Sequence, residues 1–347
     1  MNLQRLHVFY AGLDPSTGGI ACSARIFHDY ATQPSKYAAW QYGQNDDDSV
    51  EYQTNSKLQI LWKVYRKNWR FKQVLFWHLG LTQLRIAMRQ IPDQTILFGH
   101  GIELWRHHSR RTTESLRRVD LFLHNSHYTL MRARQYLVHP LKNVCCVPLG
   151  IGHVIDDVSL PDFSKPSAVI LARISISENY KGHVELIRAW PGVLRQLPKA
   201  NLHILGTGDL VPELQSLVTS LHLEHAIHFM GRVDEETKQR QLRESTCFLM
   251  PSRGEGFGLV YLEAMRLGRP CLVSDEDAGQ EVVNPPECGL AVNVRDEESM
   301  VSAIVRLMTP GPEWDQWSRA AKVRYDNNYT ALHFQQRMSK ALSLQTN

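Results

Sequence analysis

The sequence predicts an α/β protein of two domains, each built on a parallel sheet. Three observations predict it. A chain of 347 residues exceeds one ordinary core and suits two domains of roughly 150 to 180 residues. Short apolar runs alternate with amphipathic stretches, and strand-helix-strand order builds parallel sheets. Several apolar runs end in glycine or polar tips, which is where open parallel sheets present their loops.

The first strand, residues 6–10, runs into a stretch of turn formers containing Gly18 and Gly19, and a helix follows over residues 20–30. Strand, glycine loop and helix N-terminus form an arrangement that suits phosphate. Residues 95–99 form a strand ending at His100-Gly101, residues 121–123 lead to Asn125 and Ser126, and residues 144–147 precede Pro148-Leu149-Gly150. Residues 156–166 are polar and carry Pro161 and Pro166, as expected of an interdomain linker. Beyond it the alternation is clear, with strands at 168–171, 201–205, 227–230, 247–250 and 270–273. Helices are expected at 183–197, 210–221, 234–244, 258–267 and 296–307. The expected domains are therefore 1–160 and 161–312, both Rossmann-like, with a cleft between them. Residues 313–347 read as a helical tail packing back on the first domain.

Hydrophobic residues make up 43% of the chain and charged residues 21%, which excludes disordered and fibrous classes. The N-terminus lacks the basic, apolar and small-residue pattern of a signal peptide, and no apolar run reaches the ~18 residues of a membrane span. Six cysteines are scattered without metal-ligand spacing, so reduced thiols and a cytoplasmic location are expected. Residues 1–160 hold nineteen Lys and Arg against twelve Asp and Glu, while the whole chain is only +4. Between Lys57 and Arg89, Lys63, Arg66, Lys67, Arg70, Lys72 and Arg85 interleave with Trp62, Tyr65, Trp69, Phe71, Phe76 and Trp77, with no acid among them. Such a mixture suits an anionic membrane surface or a phosphorylated lipid, or else a solvated basic face; nucleic acid would also attract it.

The residues with chemical potential lie at strand ends in the second half. Strand 247–250 is followed by Pro251-Ser252-Arg253-Gly254-Glu255-Gly256-Phe257-Gly258-Leu259, and Glu263 lies about two turns into the next helix. Glycines let backbone N–H groups approach an anion, and the helix start adds partial positive charge. Two glutamates eight residues apart also occur by chance. Strand 168–171, however, ends at Arg173, and Lys181-Gly182-His183 opens the next helix. Cations there stabilise negative charge developing on a departing diphosphate. The competing reading pairs Arg173 with a nearby acid such as Glu178. His100 likewise reads as a reaction-centre residue or as a core histidine satisfied by backbone. Asp46-Asp47-Asp48 follows polar residues and reads as a solvated loop rather than a metal site. Adjacent His107 and His108 cannot share a helix face as a ligand pair. Gly206-Thr207-Gly208-Asp209 lacks the third glycine of a dinucleotide fingerprint.

Arg173, Lys181-Gly182, Gly206-Thr207-Gly208, Gly231-Arg232-Val233, the segment from Pro251 to Leu259, and Glu263-Ala264-Met265 together resemble the retaining glycosyltransferases of family 4, with the GT-B fold. The resemblance covers most of residues 168–308, and it departs from the family in the polar insertion of residues 174–180. It implies that Arg173 and Lys181 bind the diphosphate of a sugar-nucleotide donor and that Glu255 contacts the donor sugar. It further implies that Glu263 holds the ribose and that Gly256, Phe257, Gly258 and Leu259 offer backbone amides. In the first half, Gly18 and Gly19 resemble the loop beneath the donor phosphates, and His100 the histidine lining the reaction centre. The catalytic set so implied is Arg173, Lys181, Glu255 and His100. The donor is a UDP- or GDP-sugar acting as substrate, with no cofactor or metal and no nucleic-acid partner. The basic aromatic segment points to a saccharide or lipid-linked saccharide acceptor of bacterial polysaccharide or lipopolysaccharide synthesis, and to a cytoplasmic protein able to sit peripherally on the inner membrane face. A GT-B nucleotide-sugar epimerase and a non-catalytic sugar-nucleotide-binding protein are the alternatives.

Overall fold

The computed structural model describes residues 5–31, 37–43, 49–69, 72–155 and 158–343. Asp46, Asp47, Asp48, Arg70, Phe71 and Asp156 lie outside the described residues. The chain divides into two compact units: Met1–Ile151 with Ala331–Asn347, and Gly152–Thr330.

The first unit contains β1 (Arg5–Tyr10), α1 (Gly19–Tyr30), β2 (Tyr37–Tyr42), β3 (Tyr52–Thr54), α2 (Lys57–Arg66), β4 (Lys72–Phe76), α3 (Leu84–Ala87), β5 (Gln94–Gly99), α4 (Arg110–Arg117), β6 (Leu121–His124), α5 (His127–Arg134) and β7 (Val144–Cys146). Among the described residues its strands are parallel in the order β3-β2-β1-β4-β5-β6-β7. The central strands are apolar at successive positions, with Val8, Phe9, Val74, Leu75, Phe76, Ile96, Leu97 and Phe98 fully buried, as a sheet covered on both faces requires. On one face Phe9, Trp40, Trp69 and Phe76 interlock, with ring centroids 5.3–5.9 Å apart.

The second unit runs β8 (Ser167–Leu171), α6 (His183–Gln196), β9 (Asn201–Leu205), α7 (Val211–Ser220), β10 (Ile227–Gly231), α8 (Glu235–Glu244), β11 (Cys247–Leu249), α9 (Leu259–Arg266), β12 (Cys271–Ser274), α10 (Gly279–Val283), β13 (Gly289–Val292), α11 (Glu297–Met308) and α12 (Pro312–Asn328). Its six strands are parallel in the order β10-β9-β8-β11-β12-β13. Asp234 and Asp296 cap α8 and α11 by accepting the N–H groups of Thr237 and Ser299, which satisfies donors that a helix start leaves unpaired.

Side chains fasten both ends of the second unit. His153 and Ser159 are held by the second unit, where Tyr325 donates to the His153 carbonyl (3.3 Å) and Arg269 to the Ser159 carbonyl (2.6 Å). Residues 312–343 form two helices. Trp314 and Trp317 of α12 bury their rings in the second unit and donate to the carbonyls of Thr246 and Pro286. The last helix, α13 (Ala331–Ser343), belongs to the first unit.

Each sheet reverses strand order once, between β1 and β4 and between β8 and β11. At such a point the loops leaving the two carboxyl ends diverge and open a crevice for ligands. Arg173 and the glycine-rich segment from Pro251 to Leu259 leave the second of these points.

Candidate functional site

In the second unit the loop after β8 is held by the loop after β9. The Ile174 N–H donates to the Thr207 carbonyl (3.1 Å) and the Leu210 N–H to the Ile174 carbonyl (3.1 Å). Gly206 and Gly208 have φ of +140° and +159°, and a Cβ on either would lie 2.0 Å from the carbonyl oxygen of Ala172 or Ile174. These glycines let the backbone pass close beside the Arg173 loop, a structural task distinct from dinucleotide binding. Asp209 accepts the N–H of Ile176 (2.8 Å) and fixes the one-turn 3-10 helix Ile176–Glu178 in the polar insertion.

That turn presents Glu178 to both expected cations. Its carboxylate lies 3.1 Å from Arg173 and 3.9 Å from Lys181. Lys181 also pairs with the Glu255 carboxylate, so Arg173, Glu178, Lys181 and Glu255 form one ion cluster across residues 173–255. The Arg173 side chain is 60% exposed, whereas those of Lys181 and Glu255 are 13% and 15% exposed. Burial pulls the Lys181 ammonium down, but Glu255, with Tyr180 and Glu178, more than offsets it and leaves its pKa above the usual lysine value.

Backbone contacts set this geometry. Gly182 caps α6 with φ +94°, and a Cβ there would meet the Pro251 ring at 2.8 Å and its carbonyl oxygen at 3.0 Å. The Arg253 N–H donates to the Tyr180 carbonyl (2.9 Å), and Gly254 lies against the Tyr180 ring, where a Cβ would come within 2.7 Å. Residues 180–182 therefore seat directly on the glycine segment, which brings Lys181 to Glu255. Gly258 caps α9 with φ +87° and lies against Tyr261, whose hydroxyl donates to the Met250 carbonyl (2.7 Å). Phe257 is buried edge-on to Tyr329. Gly256 and Leu259 complete the path into the helix.

Asp277 supports the segment from the far side. Its carboxyl oxygens accept the N–H groups of Glu255 (3.1 Å) and Gly279 (2.8 Å), and the Ala278 N–H returns to the Glu255 carbonyl (3.3 Å). Burial, reinforced by the nearby Glu255 charge, pushes the Asp277 carboxyl up to about 8. Sequence reading missed Asp277, because nothing in its spacing marks a side chain that folds back across a neighbouring loop.

Glu263 enters a different ion pair. It lies 2.7 Å from Lys238, which also pairs with Glu235 at 2.8 Å. Burial raises the Glu263 carboxyl above its usual value, with Lys238 opposing the shift. Lys238 is the second residue missed, twenty-five positions ahead of its partner and on a separate helix. Arg173, Lys181 and Glu255 are thus brought together, while Glu263 is held by Lys238 on the α8 side of α9.

In the first unit Gly18 adopts φ +137° and caps α1, with Gly19 as its first residue. His100 follows β5 and is buried. Its ring stacks on Phe98 (4.7 Å), and Nε2 lies 2.8 Å from the Trp77 carbonyl, which can only accept. That bond assigns the proton to Nε2 and leaves Nδ1 as the acceptor. The His100 N–H donates to Glu103 (2.6 Å), and Asn125 donates to the His100 carbonyl (2.8 Å). Burial lowers the His100 pKa to about 4, so the ring is neutral at physiological pH. Its Nε2 is satisfied by a backbone carbonyl.

Residues 165–310 match the model of Glycosyl transferases group 1. Phosphatidyl-myo-inositol mannosyltransferase of Mycobacterium leprae is 32% identical over 47% of this chain and 43% of its own length. A GDP-mannose-dependent monoacylated alpha-(1-6)-phosphatidylinositol monomannoside mannosyltransferase of Corynebacterium glutamicum is 27% identical over 62% of this chain and 61% of its own. The chain thus spans less than two thirds of the length of these curated relatives. Among solved structures, Anabaena Alr3699/HepE in complex with UDP and glucose superposes with a TM-score of 0.76 at 16% identity, covering 98% of this chain and 99% of that one. The chain therefore has the GT-B fold, and the stretch similar to Glycosyl transferases group 1, residues 165–310, lies within its second unit.

Proposed function

We propose that this chain is a glycosyltransferase of glycolipid or polysaccharide synthesis. In this reading it moves a hexose-like sugar from a UDP- or GDP-sugar to a hydroxyl of a lipid-linked saccharide, with retention at the anomeric carbon and without a metal. The observation that carries the reading is the Arg173–Glu178–Lys181–Glu255 cluster on the glycine segment at the strand-order reversal of the second sheet. The mannosyltransferase names of the relatives and the UDP and glucose of the Anabaena structure support the donor class.

Breaking the bond between the anomeric carbon and the diphosphate oxygen leaves negative charge on the diphosphate. Fixed cations aimed at that oxygen stabilise the transition state more than the bound donor. Lys181 is a full cation at working pH, held so by Glu255, and Arg173 is exposed enough to meet an incoming ligand. A donor diphosphate competes with Glu178 and Glu255 for these cations. Glu255, once released, accepts hydrogen bonds from sugar hydroxyls, and backbone amides of Gly256, Phe257, Gly258 and Leu259 lie along the same path. The sugar departs and is attacked on one face, so no enzymic nucleophile is assigned. Arg173 and Lys181 supply the charge a metal would otherwise supply.

Incubation with UDP- and GDP-hexoses and lipid-linked saccharides, followed by NMR of the anomeric proton of the product, tests this reading. The expected product keeps the donor's anomeric configuration and forms equally well in EDTA. An inverted product, a donor isomerised without acceptor, or activity abolished by EDTA and restored by a divalent cation would each contradict it.

A further inference from the structure

The first unit carries a surface that the donor chemistry does not use. In α2, Ile60 and Val64 face the core and are buried, yet Leu58, Leu61, Trp62 and Tyr65 are all exposed, Leu58 by 79%, Trp62 by 55% and Tyr65 by 52%. Their spacing of i, i+3, i+4 and i+7 places them in one stripe along the helix. The helix α3 packs against α2 and carries exposed Ile86, and Ile91 just beyond is 74% exposed. Cations accompany the rings: Arg66 lies over Trp62 (4.7 Å) and Arg89 over Tyr65 (5.9 Å), with Lys57 and Lys63 exposed on the same helix. No Asp or Glu occurs between Lys57 and Pro92, and the neighbouring Glu51 is engaged by Lys67 at 2.6 Å.

Contiguous exposed apolar surface of this kind marks an interaction site, and its composition selects the partner. A second copy docking through the same face would set these cations against each other. Nucleic acid would use the cations and could stack on Trp62 and Tyr65, but it gives no burial to Leu58, Leu61, Ile86 and Ile91. An anionic bilayer satisfies all three groups: aliphatic side chains enter the acyl boundary, Trp and Tyr sit at headgroup level, and Lys and Arg reach the lipid phosphates. We propose that the exposed stripe of α2, with Ile86, Arg89 and Ile91 beside it, docks this protein on the surface of an anionic lipid bilayer. Docking this way brings the lipid-linked acceptor of the proposed function to the enzyme. The surface lies wholly in the first unit, so it stands or falls independently of the Arg173 cluster.

The test is co-sedimentation of the full chain with vesicles of phosphatidylcholine mixed with phosphatidylglycerol, and with vesicles of phosphatidylcholine alone. Binding to the mixed vesicles only, weakened by salt, is the expected result. Trp62→Ser with Tyr65→Ser should lose most of it, and separately Arg66→Ala with Arg89→Ala should weaken it by about fivefold for each cation removed. All four positions are exposed, so both variants should keep the wild-type melting temperature and nucleotide stabilisation. The proposal is overturned if wild type ignores both vesicle types, if either folded double variant binds as wild type does, or if the surface instead drives dimerisation or selects single-stranded nucleic acid over vesicles. Loss of nucleotide stabilisation with vesicle binding intact would count against the donor reading alone.

Discussion

Asp277 shows how one buried side chain positions a reactive one. Its carboxyl group holds the Glu255 and Gly279 amides in place and keeps its proton up to about 8, whereas an aspartate in the unfolded chain loses its proton near 4. Between those values the folded state holds a proton that the unfolded state has released, so stability falls as pH rises through this window and is flat above it. His100, His124 and His183 act in the opposite sense. Each is pushed down to about 4 by burial, so each adds stability as pH rises from 4 to its unfolded value near 6.5, and nothing beyond. Between about pH 6.5 and about pH 8 these three histidines add nothing more, and the Asp277 effect has a slope of up to about 1.4 kcal/mol per pH unit. Urea melts of wild type across this range should show the decline, and Asp277→Asn should remove it even where it lowers stability at a fixed pH. Equal slopes in the two proteins would show that Asp277 is ionised in the folded state.

At the scale of elements, the second unit was legible because its signals are local. Strand ends, the Gly182 cap and the glycine segment lie next to one another in sequence, and the structure places β8, β9, β10, β11 and β12 within a residue or two of their expected positions. In the first unit, β2, β3, α2 and β4 were not resolved from the pattern. Apolar residues in α2 occupy both its core face and its exposed stripe, which erases the 3.6-residue period that marks a helix. Lys238 and Asp277 escaped notice because each meets its carboxylate or amide partner only after the chain has folded. The Gly182 turn offers a direct check on the element that carries Lys181. Gly182→Ala combines a positive φ with a Cβ placed against Pro251, a conflict worth roughly 1–3 kcal/mol. Gly12→Ala, which meets nothing within 4 Å, should be close to neutral. Thermal melts should rank them so, and an unperturbed Gly182→Ala protein would contradict the seating of residues 180–182 on the glycine segment.

At the scale of the whole molecule, the chain leaves its first unit at Ile151 and returns to it at Ala331. Phe334, Met338 and Ala341 of α13 are buried there, with Phe334 edge-on to Trp77 (6.4 Å) and Phe98 (6.3 Å). Truncation after Thr330 therefore removes core from the first unit although the deleted residues follow the second. Loss of a buried phenylalanine alone costs about 3–5 kcal/mol, so the truncated chain should melt in two steps, the earlier from the first unit. Nucleotide should still raise the later step. A single unchanged transition would show that α13 contributes nothing to the first core.

The central claim is that Arg173 and Lys181 form a diphosphate pocket at the strand-order reversal of the second sheet. Thermal stabilisation by a panel of sugar nucleotides, repeated on Arg173→Ala and Lys181→Ala, tests it most directly. One nucleotide class should stabilise wild type, and each variant should bind it roughly 10- to 100-fold more weakly, since one charge-assisted hydrogen bond contributes about 1.5–3 kcal/mol. Undiminished stabilisation of both folded variants would place the diphosphate elsewhere and contradict the account.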